Sequence, residues 1–430
     1  MGSKLALLGG KKIRNKPFPK HPVIGDEEKK AVMGVLETGN LSTFIATPGK
    51  YFLGGKKIKK FEKNFKQYMG VKYAVALNSA TAGLHAAVAA AYIGPGDEVI
   101  VPPYTFTSTA TCALMNGAIP VFVDIDPDTF CIDPEKIRAA ITPRTKAIIP
   151  VHLFGLPADM NSILKIAHEY NLVIIEDAAQ APGARYKGKL VGTMGDFGIF
   201  SFTESKTITT GEGGMVITNN EEFAERVRMM RNHGEVITDK EHRSYISNLI
   251  GYNYRLTEIN AALGIEQLKK LNKLNKVRIK LANYVRKKLS NFDGFTPQLV
   301  TSDVTHVYYA VAFKYNADSI GIPRNLFIKA LNAEGIPFSA GYVPPLYWTP
   351  IYQEKKGFGR TGWPFEWANF KSEVNYDKGI CPVTERLYEK ELILTLVCRY
   401  PATIDDMDDI GDAFEKILDK KGELKKGEVK

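Results

Sequence analysis

Lys206 closes the run Phe200-Ser-Phe-Thr-Glu-Ser-Lys206, an apolar stretch that turns polar and leads into Thr209-Thr-Gly-Glu-Gly-Gly214. An amine beside a buried, glycine-flanked site can lose its proton and form an imine with an aldehyde cofactor. Taken alone, a lysine after a strand reads as readily as a solvated surface residue. Two other segments supply what such chemistry needs. Leu172-Val-Ile-Ile-Glu-Asp177 sets Asp177 at the end of a buried strand. A carboxylate there can pair with a protonated ring nitrogen and keep the ring an electron sink, although Asp at a strand end also serves as an ordinary cap. Tyr73-Ala-Val-Ala-Leu77 runs into Asn78-Ser-Ala-Thr-Ala-Gly83, a strand followed directly by a helix start. Free N–H groups and the helix dipole at such a terminus bind phosphate, or simply form an N-cap. Ser201 offers one more hydroxyl to a phosphate. The three segments carry weight together and little apart.

The elements that must position these residues are legible as alternation. Between Glu28 and Asn220, apolar runs at Tyr73–Leu77, Glu98–Pro102, Val121–Asp124, Ala147–Val151, Leu172–Asp177, Phe197–Phe202 and Gly213–Thr218 alternate with amphipathic stretches such as Asp159–Tyr170. Runs unbroken by polar residues suit strands buried on both faces of a mostly parallel sheet, joined by crossover helices. In such sheets ligands bind beyond the carboxyl ends of the strands, where the three segments lie. Long helices follow at Glu221–Asn232 and from Leu256 to about Leu289. After His306 the pattern becomes a smaller α+β unit, with a strand at Tyr308–Phe313 and helices at Arg324–Glu334 and Asp405–Leu418. The loop Gly357–Pro382, which carries Trp363 and Trp367, is long enough to be a binding element or a lid.

The 430 residues suffice for two domains. The division expected is an N-terminal arm over 1–24, a large domain over 25–270 and a small C-terminal domain over 271–430. With 44% hydrophobic and 24% charged residues the composition is that of a soluble globular protein. No apolar run approaches the ~18 residues of a membrane span, and Met1-Gly-Ser-Lys-Leu-Ala6 has neither signal-peptide layout nor the Ser or Thr that myristoylation needs. A cytoplasmic location is expected. The four cysteines (Cys112, Cys131, Cys381, Cys398) have no metal-ligand spacing, so no metal is expected. The formal charge of +10 resides largely in runs such as Lys56–Lys60 and the tail Lys420–Lys430. Aromatic residues do not interleave with it as a nucleic-acid platform requires.

These segments, with Gly94-Pro-Gly-Asp-Glu-Val-Ile-Val-Pro102, Pro150-Val-His-Leu-Phe-Gly155, Arg231-Asn-His-Gly234 and Gly251-Tyr-Asn-Tyr-Arg255, resemble the DegT/DnrJ/EryC1/StrS family of sugar and cyclitol aminotransferases. The resemblance implies the aspartate-aminotransferase fold (pyridoxal-phosphate fold type I), a three-layer α/β/α large domain with a smaller C-terminal α+β domain. It implies pyridoxal 5'-phosphate held as a Schiff base on Lys206, which then shuttles protons. Asp177 would pair with the pyridine nitrogen, Gln180 would contact the ring hydroxyl and Phe106 would stack on the ring. Ala80, Thr81 and Ser201 would hold the phosphate, and Asn253 would reach it from the neighbouring subunit of a homodimer. His152, His306 and Tyr342 are substrate candidates. Glutamate or glutamine is the donor implied; the acceptor is a nucleotide-linked keto sugar or an inosose-like keto cyclitol.

The chain departs from many sugar-modifying members at Thr203, where they carry His, and at Gly341-Tyr-Val-Pro-Pro-Leu-Tyr347. The latter, with Cys381-Pro-Val-Thr-Glu-Arg386 and the tryptophan-bearing loop, resembles the inosose branch. Two other readings compete. A sugar dehydratase of the same family replaces the lysine with His, and a non-catalytic regulatory protein with this fold would lack a catalytic position. Lys206 argues against the first, and the full set of site residues against the second.

Overall fold

In the computed structural model, residues 4–45, 49–237 and 245–427 are described. The expectations for residues 1–3 and for the last part of the basic tail, 428–430, lie outside them. The apolar runs form a seven-stranded sheet: β1 (Tyr73–Leu77), β2 (Glu98–Val101), β3 (Ile119–Phe122), β4 (Thr145–Ile148), β5 (Val173–Asp177), β6 (Phe197–Ser201) and β7 (Gly214–Thr218). Their order is β1-β7-β6-β5-β4-β2-β3. Every neighbouring pair is parallel except those made by β7, which runs antiparallel to both β6 and β1. Six carboxyl ends and the start of β7 therefore share one edge.

Two strands, β3 and β4, begin two residues before the apolar runs expected at Val121–Asp124 and Ala147–Val151. A strand ends where pairing ends, not where apolarity does. The amides of Val123 and Ile149 still donate to Val101 and Ile100, at 3.0 and 2.8 Å, as the chain leaves the sheet.

Both faces of the sheet are covered, which is why its strands lack polar alternation. Helices α1 (Lys56–Met69), α2 (Ala80–Ala90), α3 (Ser108–Met115), α4 (Met160–Tyr170), α5 (Glu221–Arg231) and α6 (Glu258–Leu289) make the outer layers. On one face Val75, Leu77, Val99, Val101 and Ile199 meet the apolar sides of α2, α3 and α5. On the other, Ile100, Ile148 and Ile174 pack with Ile163 and Ile166 of α4, while Ala76, Phe200 and Met215 pack with α1 and α6. The lysines Lys56, Lys59 and Lys60 at the start of α1 are exposed, with Ile58 and Phe61 turned inward. This is the solvated face of an amphipathic helix.

The 32-residue α6 runs from the large unit into the smaller one. The division expected between residues 270 and 271 thus falls inside a continuous helix. Its far end buries Leu281, Val285 and Leu289 in a second core with strands β8 (Phe295–Pro297), β9 (Val311–Tyr315), β10 (Ser339–Ala340) and β11 (Leu392–Thr395) and helices α7 (Arg324–Ala333) and α8 (Ile404–Asp419). These four strands form an antiparallel sheet in the order β8-β9-β11-β10.

Three expectations change. The stretch from Leu5 to Arg14 of the expected arm is docked on the smaller unit. Leu5 is fully buried in its core, and Arg14 pairs with Asp406 at 2.8 Å and Asp409 at 2.6 Å. The strand expected over Tyr308–Phe313 starts only at Val311, because Tyr308 adopts a φ of +50° that interrupts extended backbone. Gly357–Pro382 is anchored in the large unit rather than standing as a free loop. Phe365 and Tyr376 enter the large unit's core, and the Tyr376 hydroxyl donates to Pro120 in the edge strand β3.

No helix among the described residues is long and apolar enough to cross a membrane. All four cysteines are buried and free, and the described residues contain no cluster of three or more His, Cys, Asp or Glu able to hold a metal ion.

Candidate active site

The shared edge of carboxyl ends opens into a cavity of about 380 Å³, within the range of small-molecule sites. Most of the residues picked out from sequence line it: Ala80, Thr81, Phe106, Asp177, Gln180, Ser201, Lys206 and Tyr342. They come from five chain segments spread between residues 80 and 342.

Asp177 ends β5 and is almost fully buried. Thr109 Oγ1 donates to its Oδ2 at 2.8 Å, and the Ala179 amide to its Oδ1 at 3.1 Å. Burial pushes the carboxyl up from its usual range, while these two donors and the nearby charge of Lys206 oppose the shift. No cationic side chain among the described residues forms a salt bridge with Asp177. The preceding Glu176 faces the other way. It accepts from the amides of Gly192, Met194 and Gly195 and meets His152 Nε2 at 3.1 Å. That lock fixes the end of β5.

Gln180 is held at both ends of its amide. Its Oε1 accepts from the Phe154 amide at 2.7 Å, and its Nε2 donates to the Tyr342 hydroxyl at 3.0 Å. Tyr342 is itself seated by edge contacts with Tyr104 and Phe154.

At the β1–α2 turn, Ser79 caps the helix by accepting from the Ala82 amide at 3.0 Å. The amides of Ala80 and Thr81 meet no acceptor among the described residues and are free for an anion. The turn sits directly on β7: a Cβ on Gly214 would lie 2.4 Å from the Ser79 carbonyl. Ser201 lies across this turn at the end of β6.

Lys206 follows in an irregular segment. Its Nζ lies over the Tyr309 ring, 4.5 Å from the centroid, and the Tyr309 hydroxyl is 3.4 Å from Ser205 Oγ. Phe106 is 59% exposed at the cavity wall, as a ring awaiting a flat ligand would be. A buried carboxylate with no salt-bridge partner, free amides at a helix start and an amine lining the same cavity suit a flat pyridine aldehyde with a phosphate arm.

Other expected residues lie elsewhere. His152 is fully buried; its Nδ1 accepts from the Ala158 amide and its Nε2 faces Glu176. His306 stacks on Tyr308 at 3.8 Å and accepts from the Tyr308 amide; burial holds its pKa down near 3. Neither lines the cavity. Asn253 is exposed and also absent from its own chain's cavity. Of the segments that depart from the family pattern, Thr203 and Tyr342 reach the cavity, and Thr203 Oγ1 donates to Glu212 at 3.2 Å. Tyr347 does not; its hydroxyl donates to Glu385 at 2.5 Å. Residues 382–386 form a helix capped by Asp124, which accepts from Val383 and Thr384.

Sequence reasoning missed Thr109, Tyr309 and Glu212. Thr109 hides in a helix of small residues. Tyr309 read as part of a buried strand. Glu212 stands among the glycines of 211–214, where the flanking glycines and not the carboxylate carried the reading.

Fold and site together define an aminotransferase of the pyridoxal-phosphate fold type I class. The chain belongs to the DegT/DnrJ/EryC1/StrS aminotransferase family, whose model matches residues 37–374. It is similar to the GDP-perosamine synthase of Caulobacter vibrioides, at 40% identity over 77% of this chain and 85% of that one. It is also similar to a putative L-glutamine:3-amino-2,3-dideoxy-scyllo-inosose aminotransferase of Streptoalloteichus tenebrarius, at 34% identity over 97% and 98%. Among solved structures, the aminotransferase from Psychrobacter cryohalolentis superposes with a TM-score of 0.82 at 30% identity, over 94% of this chain and 99% of that one.

Proposed function

We propose that this enzyme moves an amino group from glutamate or glutamine to a keto sugar or keto cyclitol, with Lys206 as the catalytic residue. The observation that carries the reading is the convergence of Lys206, Asp177, Gln180 and the Ala80–Thr81 amides on one cavity. Pyridoxal phosphate, when bound, supplies an aldehyde for nitrogen and a ring that withdraws electrons. The chain's residues do the rest. Asp177 would pair with the ring nitrogen, a partner for a buried carboxylate that otherwise has only two hydrogen-bond donors and the nearby Lys206 charge. Gln180, braced by Tyr342, would contact the ring hydroxyl, Phe106 would cover the ring face, and Ala80, Thr81 and Ser201 would bind the phosphate. Lys206 Nζ, seated over the Tyr309 ring, would be the group that takes up and returns the proton at this site.

Two features support the acceptor class. The relatives named above include one nucleotide-sugar enzyme and one inosose enzyme, and the wall at Thr203, Glu212 and Tyr342 offers hydroxyl and carboxylate groups to a polyol. Asn253, exposed and outside its own chain's cavity, supports a homodimer in which it reaches the partner's phosphate site. A cytoplasmic location fits such a soluble substrate.

Purified protein given pyridoxal phosphate should develop a visible band that borohydride abolishes, and Lys206→Ala should lose it. Failure of the wild type to bind the cofactor would overturn the reading. With the cofactor in its aminated form, a panel of nucleotide-linked keto sugars and inososes should include at least one that discharges it. Glutamate and glutamine are then compared as reloading donors.

A further inference from the structure

Lys206 belongs to no helix or strand, so its backbone is placed by individual hydrogen bonds. Its amide donates to the Thr203 carbonyl at 3.0 Å. Its carbonyl lies 2.9 Å from Nε2 of His21, a residue 185 positions upstream. No other donor among the described residues meets that carbonyl. A carbonyl can only accept, so His21 holds its proton on Nε2. Burial, with the positive charges of Arg399 and Arg278, keeps the imidazole neutral by lowering its pKa to about 4. The contact therefore survives through the neutral range.

The segment that brings His21 there is anchored at several points. The amides of Ala6 and Ile13 donate to the Glu334 carboxylate, and Lys416 binds the same group at 2.8 Å. Arg14 is clamped by Asp406 and Asp409. The Val23 carbonyl accepts from Gln267, whose Oε1 in turn lies 3.3 Å from the Thr209 amide, three residues past the lysine. The N-terminal segment thus touches the Lys206 loop directly at His21 and again through Gln267.

We infer that His21 is a positioning residue for Lys206, fixing the carbonyl side of the catalytic lysine from the N-terminal segment. This rests on the reading that Lys206 captures the aldehyde cofactor. Misplacement of a reacting group by about 1 Å can cost on the order of 100-fold in rate, so a freed loop should capture the cofactor more slowly.

The test is stopped-flow capture of pyridoxal phosphate by the cofactor-free full chain, followed by borohydride reduction and mapping of the labelled peptide. His21→Ala should slow capture at least tenfold. His21→Gln, which can still donate an N–H to the carbonyl, should restore most of the rate. Thermal melting of the cofactor-free variants reads folding separately. Wild-type capture rates in a folded His21→Ala would overturn the proposal. So would equal slowing in His21→Gln, since the donated proton would then not matter. If His21→Ala fails to fold, the comparison of His21→Gln with His21→Leu decides: equal rates overturn the proposal, and a slower Leu variant supports it. No capture by the wild type would instead overturn the proposed function, a separate outcome.

Discussion

Thr109 Oγ1 stands 2.8 Å from Asp177 Oδ2, so a threonine in a helix of small residues supplies one of two donors to the most buried carboxylate of the site. Hydrogen bonds to a charged group contribute roughly 1.5–3 kcal/mol. Thr109→Val keeps the volume and removes the donor. The carboxyl, already raised by burial, should rise further and pair less well with a cationic ring nitrogen. Cofactor affinity should fall by about tenfold, measured by titration of the visible band. Asp177→Asn should lower it more and nearly abolish amino transfer.

Gly214 allows β7 to pass beneath the Ser79–Ala80 turn. A Cβ there would lie 2.4 Å from Ser79 and 2.6 Å from the Ala80 nitrogen, all backbone atoms with no side chain to yield. Gly214→Ala should displace the turn and weaken inorganic phosphate and cofactor binding together, by tenfold or more. Isothermal titration with each ligand checks it, and an unchanged phosphate affinity would refute the assigned role of the turn.

Arg14 ties the N-terminal segment to α8 through the buried Asp406. Removing one partner of a buried pair typically costs about 3–5 kcal/mol. Asp406 also accepts from the Thr403 amide and hydroxyl, so Arg14→Ala should cost about 3 kcal/mol. Urea denaturation gives the value. Cofactor capture should also slow if His21 loses its anchorage.

Three histidines are held neutral in the folded chain: His21 and His85 near pKa 4, His306 near 3, each chiefly by burial. The unfolded chain binds protons on them from about 6.5 downward. Between those values it holds more protons than the folded one, so stability rises with pH there and is lost as pH falls from about 6.5 toward 4. Each unit of pKa difference is worth about 1.4 kcal/mol at most, and partial solvent exposure of His21 reduces its share. Thermal melts from pH 7 to pH 4 should show a falling Tm, blunted in His85→Gln. A flat profile would refute the burial argument.

The α/β/α layering was legible because buried strands and amphipathic helices leave different periodicities in the chain. The core of the site was legible for a related reason: Asp177, Ser201, Lys206 and the Ser79–Thr81 turn all follow strand ends, and parallel topology gathers such ends at one edge. His152 and His306 were misjudged from sequence, since a histidine's type does not reveal whether its nitrogens are already occupied. The Trp363 loop likewise gave no sign that Gly117 and Pro120 would receive it.

By itself, then, the sequence determined the layered fold and picked out residues that meet at one cavity, since both rest on local periodicity and on motifs short enough to read. Only the tertiary structure decided what holds those residues in place. Thr109 beneath Asp177, Tyr309 beneath the lysine amine and His21 behind its carbonyl are contacts between segments 68 to 185 residues apart. Their partners are selected by packing in three dimensions, and no spacing along the chain encodes them.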